Sequence, residues 1–352
     1  MTSSGMRYQF RCITTVVVLL SALPGLACAQ TLKIYTWHNY MDPEVAREFE
    51  QLHSVSIEFS YFDSDEKRDQ ELAATNGRGY DLLLVNRLQV SKYVQRGWLQ
   101  SLTYDDVPNR RHIGMRWSET LGEFSDYALA YFWGTMGIAY RKDLIPEGFH
   151  SWRELLQPDE SLRNRLSMPA FTRGLVAMSM KSKGLSANTS DEAMIIDAGR
   201  ELLEQKPFVR HYGHPMVDES SGLVTGKVWA GAFYNGIVPR LRTFSSDIDF
   251  AIPDEGGILW ADYLTVSQSS DNKLLAFALL DYLNEPDVAA RQASYMNLAT
   301  PNVSARAHMP AQYLSDPIIH PGQDVIERSE FLEPLPPRSQ KQVNIIGTQL
   351  IH

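Results

Sequence analysis

"LKIYTWHNYMDPEVAREFEQL", residues 32–52, opens the alternation of strand and helix that decides the fold class. Leu32–Tyr35 reads as a strand. Asp42 is placed to cap a helix with Pro43 at its first position, and Val45, Phe49 and Leu52 fall on one face. Val55–Tyr61 alternates as a second strand, a polar helix is predicted from about Asp65 to Thr75, and "YDLLLV" (80–85) is a continuous apolar strand. Such a run suits a strand covered on both faces, and the β-α-β-α-β order implies a parallel sheet. In open α/β sheets ligands bind beyond the carboxyl ends of the strands. Trp37–Tyr40 and Asn86–Leu88 both follow strand ends, so the two loops are expected to line one crevice. The first loop carries two aromatics where turns favour Gly, Asn, Asp, Ser and Pro, a choice that backbone needs do not explain.

Upstream, Arg7 and Arg11 precede an apolar run over Ile13–Leu20, followed by Pro24-Gly25 and the small-residue site Ala27-Cys28-Ala29. That order is the signature of a secretory signal peptide, residues 1–29, with Gln30 as the mature N-terminus in the periplasm. Two alternatives compete with it. An uncleaved anchor is opposed by the short run and by Pro24. Lipoprotein cleavage before Cys28 is opposed by Gly25, where such sites usually carry Leu. Both cysteines, Cys12 and Cys28, fall in the leader, so the mature chain would have neither disulfides nor thiol chemistry. Removing two Arg and no acid moves the formal charge from -9 to -11. An acidic exported chain is a poor partner for nucleic acid, which basic patches recognise. It is compatible with cationic ligands, and a monomer held by its own core is expected. Chains above roughly 250–300 residues tend to divide into two domains.

Further along, "YFWGTMGIAYRKDLI" (131–145) reads as extended segments interrupted by Gly134 and Gly137. A helix is expected from Asp191 to Gln205, then an irregular loop with His211, His214 and Pro215. "GKVWAGAFYNG" (226–236) and "DIDFAIPDEGGILWADYLTVS" (247–267) alternate as strands. Residues 272–297 form two helices broken at Glu285-Pro286, with Asp287 as the second cap. No GxSxG elbow, Walker loop, HExxH or helix-opening G-x-G-x-x-G is present, so no catalytic residue is assigned and no cofactor is expected. His211-x-x-His214 has metal spacing but no supporting acidic or Cys pattern, so no metal is assigned.

Aromatic residues carry more information. Trp37, Tyr40, Tyr234 and Trp260 sit at strand ends or in Gly-flanked segments, although core packing is the usual fate of a single aromatic. Trp260 differs because Asp262 follows two residues later, and in an extended segment both point to one side. A Trp face beside a carboxylate suits an ammonium group. Cation–π attraction supplies roughly 0.5–2 kcal/mol, and the carboxylate is needed to offset desolvation of the cation.

At this point the chain resembles the periplasmic spermidine/putrescine-binding proteins of ABC transporters. The resemblance rests on "IYTWHNY" (34–40), "FDSDE" (62–66), "YDLLLV", "YFWGTMGIAY", "GLSANTSD" (184–191), "EGGILWADYL" (255–264), "LLDYLNEPDVA" (279–289) and "ATPN" (299–302), in order, over nearly all of the mature chain. It implies a two-lobed periplasmic-binding-protein fold, each lobe a mixed α/β sheet flanked by helices, joined by crossing hinge strands. The lobes would comprise 30–136 plus 261–306 and 137–260 plus 307–352, with the chain crossing near Trp133–Gly137, Pro253–Trp260 and Arg306. Ligand would close the lobes by hinge motion. By the same resemblance Trp37, Tyr40, Asn86, Tyr234, Trp260 and Asp262 are the candidate ligand-binding residues. The expected partners are a small, polyamine-like cation and either an ABC permease, for import, or a membrane receptor, for sensing.

The chain also departs from the family pattern. Asn39 stands where an acid often precedes the Tyr, and Val85-Asn86-Arg87 stands where Pro-Ser is usual. Phe171 and Gly174 in "MPAFTRGL" (168–175) replace acids that would pair with a far amine, while Leu298 and Leu332 replace a Tyr and a Gln. Asp262 is the surviving carboxylate, with Asp63, Asp65, Glu66 or Asp218 as possible compensation. A long polyamine would then leave a buried ammonium unpaired. Weak spermidine binding and preference for a shorter diamine or modified amine are the expectations. Arg87 is either a solvated side chain or a partner for an anionic group.

Overall fold

The computed structural model describes residues 30–351 and the first two residues, so the rest of the expected leader and both cysteines lie outside the described residues. Ten strands form one hydrogen-bonded mixed sheet flanked by helices. They are β1 (Thr31–Thr36), β2 (Ser56–Tyr61), β3 (Leu82–Asn86), β4 (Leu129–Arg141), β5 (Leu166–Met168), β6 (Val209–Tyr212), β7 (Ala230–Tyr234), β8 (Ile248–Ala251), β9 (Ile258–Val266) and β10 (Glu330–Phe331). The order is β2-β1-β3-β9-β4-β7-β5-β6, with β10 beside β9 and β8 beside β4. β1 pairs in parallel with β2 and β3 at one end, and β5 in parallel with β6 and β7 at the other. Between these ends, β9 and β4 run antiparallel to each other and to their outer neighbours.

Local chemistry accounts for the first unit. Asp42 caps helix Pro43–His53 by accepting from Glu44 N (2.9 Å), and Val45, Ala46 and Phe49 are buried against the sheet. Such a cap is worth about 1 kcal/mol. The left-handed Ser54 ends the helix. Ser64 caps the next helix, Asp65–Ala74, from which Leu72 enters the same core. Leu82–Val85 are fully buried, as a strand covered on both faces requires.

Although the sheet is continuous, the apolar core is not. A first cluster takes Leu32–Phe132 residues together with Ala261, Tyr263, Leu264, Val266 and the helices that follow, as far as Met309. A second contains Met136, Ile138, Trp152, Leu166, Leu175, Ile258 and Val343, and a third, smaller one contains Ala139, Phe233, Val238, Ile248 and Ile318. Thus β4 and β9 each leave the first cluster and enter another within a few residues.

The structure corrects three local expectations. Gly134 and Gly137 do not interrupt an extended segment, since β4 is unbroken from Leu129 to Arg141. They are required because a Cβ at Gly134 would lie 2.1 Å from Asn235 Oδ1, and one at Gly137 would lie 2.6 Å from the Ala251 carbonyl. His211 belongs to β6 rather than to a loop. Glu285, not Asp287, is the cap position of helix Pro286–Met296; no side chain caps it, and Pro286 begins the helix without needing an N–H partner.

Candidate functional site

A cavity of about 560 Å³ is lined by residues that follow the ends of β1, β3 and β7 and by residues of β9. Trp37, Tyr40, Asn86, Tyr234, Trp260 and Asp262 all line it. Sheet register brings several of them together: Asp262 is the Cα partner of both Asn86 on β3 and Phe132 on β4, and Trp260 is that of Gly134.

The opening loop is built around Asn39, whose φ of 54° is the left-handed conformation that Asn tolerates better than most side chains. This gives Asn39 a backbone role where an acid was expected. On either side of it, Trp37 packs on Phe62 with ring centroids 4.3 Å apart, and Tyr40 meets Phe132 edge-on at 5.5 Å. The Tyr40 hydroxyl donates to Asp262 Oδ2 at 2.7 Å, joining residues from opposite ends of the chain. Trp260 meets the edge of Tyr234 at 6.0 Å and 87°, so the aromatic wall expected at Tyr234 is present.

Asn86 has a structural task as well. Its carbonyl accepts from Leu88 N (3.0 Å), capping helix Arg87–Gln95, and its amide donates to Asp65 Oδ2 (2.6 Å). The other Asp65 oxygen pairs with the fully buried Arg68 at 2.7 Å. Asp65 is therefore fixed and largely neutralised.

Burial governs the proton affinities here. Asp262 opens onto the cavity but is surrounded by protein, and desolvation pushes its carboxyl up to about 7. The Tyr40 hydrogen bond opposes that rise, while the nearby charge of Asp65 adds to it. Tyr40 itself is raised, by burial first and by Asp262 next. His214, whose ring meets the edge of Trp37 at 5.5 Å, is lowered by burial against the pull of Asp65, Glu66 and Asp63.

The departures noted in the sequence are placed as follows. Phe171, Leu298 and Leu332 line the cavity. Gly174 does not; Phe171 folds back so that a Cβ at Gly174 would be 2.7 Å from its ring. Asp63, Asp65 and Glu66 are on the wall, whereas Asp218 is elsewhere, bonded to Ser220. Arg87 is neither solvated nor waiting for an anion. Its guanidinium donates to the carbonyls of Thr120 (2.6 Å) and Leu332 (3.2 Å) and pairs with Glu333 at 2.8 Å. His214 and Arg240 are wall residues that sequence reading did not place there, because nothing local distinguishes them from surface side chains.

A cavity lined by Trp37, Tyr40, Tyr234 and Trp260, with Asp262 bonded to a tyrosine hydroxyl, is suited to holding a small molecule. Residues 44–321 match the family model described as bacterial extracellular solute-binding protein. The chain belongs to that family. It is accordingly a solute-binding protein and not an enzyme. It is 26% identical over 303 residues to the spermidine/putrescine-binding periplasmic protein of Escherichia coli K12, covering 86% of each chain. To the norspermidine sensor of Vibrio cholerae it is 27% identical over 302 residues, covering 85% of this chain and 83% of the relative. A solved structure titled as a putative spermidine/putrescine ABC transporter from Listeria monocytogenes superposes with a TM-score of 0.83 at 25% identity, over 92% of this chain and 99% of the other. The α/β architecture with a mixed sheet is thus that of these binding proteins. Among the described residues no helix is long and apolar enough to cross a membrane.

Proposed function

We propose that this solute-binding protein captures a small amine in the periplasm, after removal of residues 1–29, and presents it to an ABC permease for import. The observation that carries the reading is the constellation at the base of the cavity: Trp260 and Asp262 two residues apart on β9, with Tyr40 bonded to Asp262 at 2.7 Å. A cation there gains an aromatic face and a carboxylate while losing water. The separate apolar clusters support two lobes, 30–136 with 261–306 and 137–260 with 307–352, that close on the ligand about β4 and β9. Trp37, Tyr40, Asn86, Tyr234, Trp260 and Asp262 form the ligand shell, Asn86 chiefly by holding Asp65. Because Phe171, Leu298 and Leu332 stand on the wall in place of the acids, Tyr and Gln of the family pattern, spermidine binds weakly and a shorter or less charged amine is preferred.

A second reading, a sensor that reports the closed state to a membrane receptor, is favoured by the likeness to the norspermidine sensor at an identity equal to that of the import proteins. Calorimetry of the purified mature chain with putrescine, spermidine and monoamines tests the amine reading, and absence of heat for every amine rejects it. Uptake of the bound amine by cells with and without the gene separates the roles, since a sensor leaves uptake unchanged.

A further inference from the structure

Beside His38, His214, Tyr40 and Tyr234, six charged side chains line the cavity: Asp63, Asp65, Glu66, Arg87, Arg240 and Asp262. Several are already matched within the protein. Asp63 pairs with Lys67 at 2.8 Å, Asp65 with Arg68 at 2.7 Å, and Arg87 with Glu333 at 2.8 Å. Arg240 differs. Among the described residues its guanidinium has no ion pair and no side-chain hydrogen bond, although it stands on the cavity wall. It projects from helix Ile237–Arg242, whose buried face (Val238, Leu241) packs in the third apolar cluster. Asp262 belongs to the part of β9 whose neighbours pack in the first. Gly236, Ile237 and Arg240 all reach the cavity, as residues three and four apart on a helix can. Leu298, Met296 and Ile237 are among the apolar residues of the same lining.

From this arrangement we infer that the preferred ligand carries one ammonium, held by Asp262 and Trp260, and one carboxylate, held by Arg240, joined by a short apolar chain: an ω-amino acid and not a diamine. The inference rests on the amine reading above and narrows its ligand class. A guanidinium presents a planar fork that fits a carboxylate bidentately. A second ammonium placed there would instead face an unpaired like charge. Apolar lining residues such as Leu298, Met296 and Ile237 match methylene groups and offer nothing to a secondary amine in mid-chain.

The test is calorimetry of the mature chain with 4-aminobutyrate, 5-aminopentanoate and putrescine. We expect at least one of the amino acids to bind about tenfold or more tightly than putrescine. Arg240→Gln is expected to weaken that amino acid about 10- to 100-fold, the range for a hydrogen-bonded ionic contact, while leaving or improving putrescine binding. Arg240→Lys should restore part of the loss. Since Arg240 is exposed and makes no ion pair or side-chain hydrogen bond among the described residues, unchanged melting of both variants is expected, which keeps folding out of the comparison. Putrescine binding equal to or tighter than both amino acids overturns the inference and leaves the amine reading standing. So does an amino-acid affinity unchanged by Arg240→Gln. Failure of all three compounds to bind overturns the inference as well, and the amine reading falls with it only if spermidine and the monoamines also give no heat.

Discussion

The two walls of the cavity are built on different principles. The wall from β1, β3 and β9 is polar and locked: Tyr40 is bonded to Asp262, Asn86 to Asp65, and Asp65 to Arg68. The rest of the lining includes the apolar Phe171, Leu298 and Leu332, with Arg240 as a cation that has no ion pair among the described residues. Locked polar groups keep a fixed geometry before ligand arrives, which lowers the cost of ordering them on binding. Apolar side chains impose shape and exclude water but do not read charge. Under the proposed function, the first wall would hold the ligand by its ammonium, and the second would set how long the ligand is and what its other end carries.

The sharpest way to break this division is Asp262→Asn. Removing one partner of a buried ion pair costs about 3–5 kcal/mol, so affinity for any ammonium ligand should fall more than about 100-fold in calorimetry. The ligand-free protein should respond in the opposite sense. A carboxyl whose native value is about 7, against an ordinary 3.8, holds its proton longer folded than unfolded. That contribution stabilises the fold at low pH and is lost as pH rises from about 4 to about 7. Above pH 7 Asp262→Asn should thus melt higher than wild type; a lower melting temperature there would show that the ionised carboxylate is stabilised by contacts other than the ligand's.

The same group makes binding pH-dependent. Below about 7 Asp262 is protonated in the free protein and offers the ammonium no charge, so affinity should drop by up to tenfold per unit of pH, with proton release on binding. A titration flat between pH 5.5 and 8 would mean that Asp262 is ionised in the free state.

Next in size is a substitution that makes the walls alike. Phe171→Asp puts a carboxylate on the apolar side and should raise spermidine affinity about tenfold relative to a short diamine, the scale of one added charge-assisted hydrogen bond. No change in that ratio would place the far end of the ligand elsewhere in the cavity. The smallest effects are expected from the aromatics. Trp260→Ala or Trp37→Ala should weaken an ammonium ligand by about 0.5–2 kcal/mol, with Trp260→Ala the larger because it stands beside Asp262. Equal and negligible losses would remove cation–π contact from the account.

Much of the architecture was legible in short stretches because its causes are short-range. Asp42 capping Pro43–His53, the buried run at Leu82–Val85, and Trp260 with Asp262 on one side of a strand all follow from periods of 3.6 and 2 and from hydrogen bonds within a few residues. Gly134 and Gly137 were visible but misread as interruptions, since what demands a glycine there is Asn235 and the Ala251 carbonyl, which come far later in the chain.

Sequence alone determined the strand–helix order and the residue types available for the cavity. Tertiary structure decided their state. Tyr40 meets Asp262 across 222 positions, and Arg87 reaches Leu332 across 245. These pairings settle which charges are neutralised inside the protein and which face the cavity, Arg240 and Asp262 among the latter. A side chain's charge is written in its own chemistry, but its partner and its access to water depend on what the fold brings within a few ångströms, and local periodicity carries no information about that.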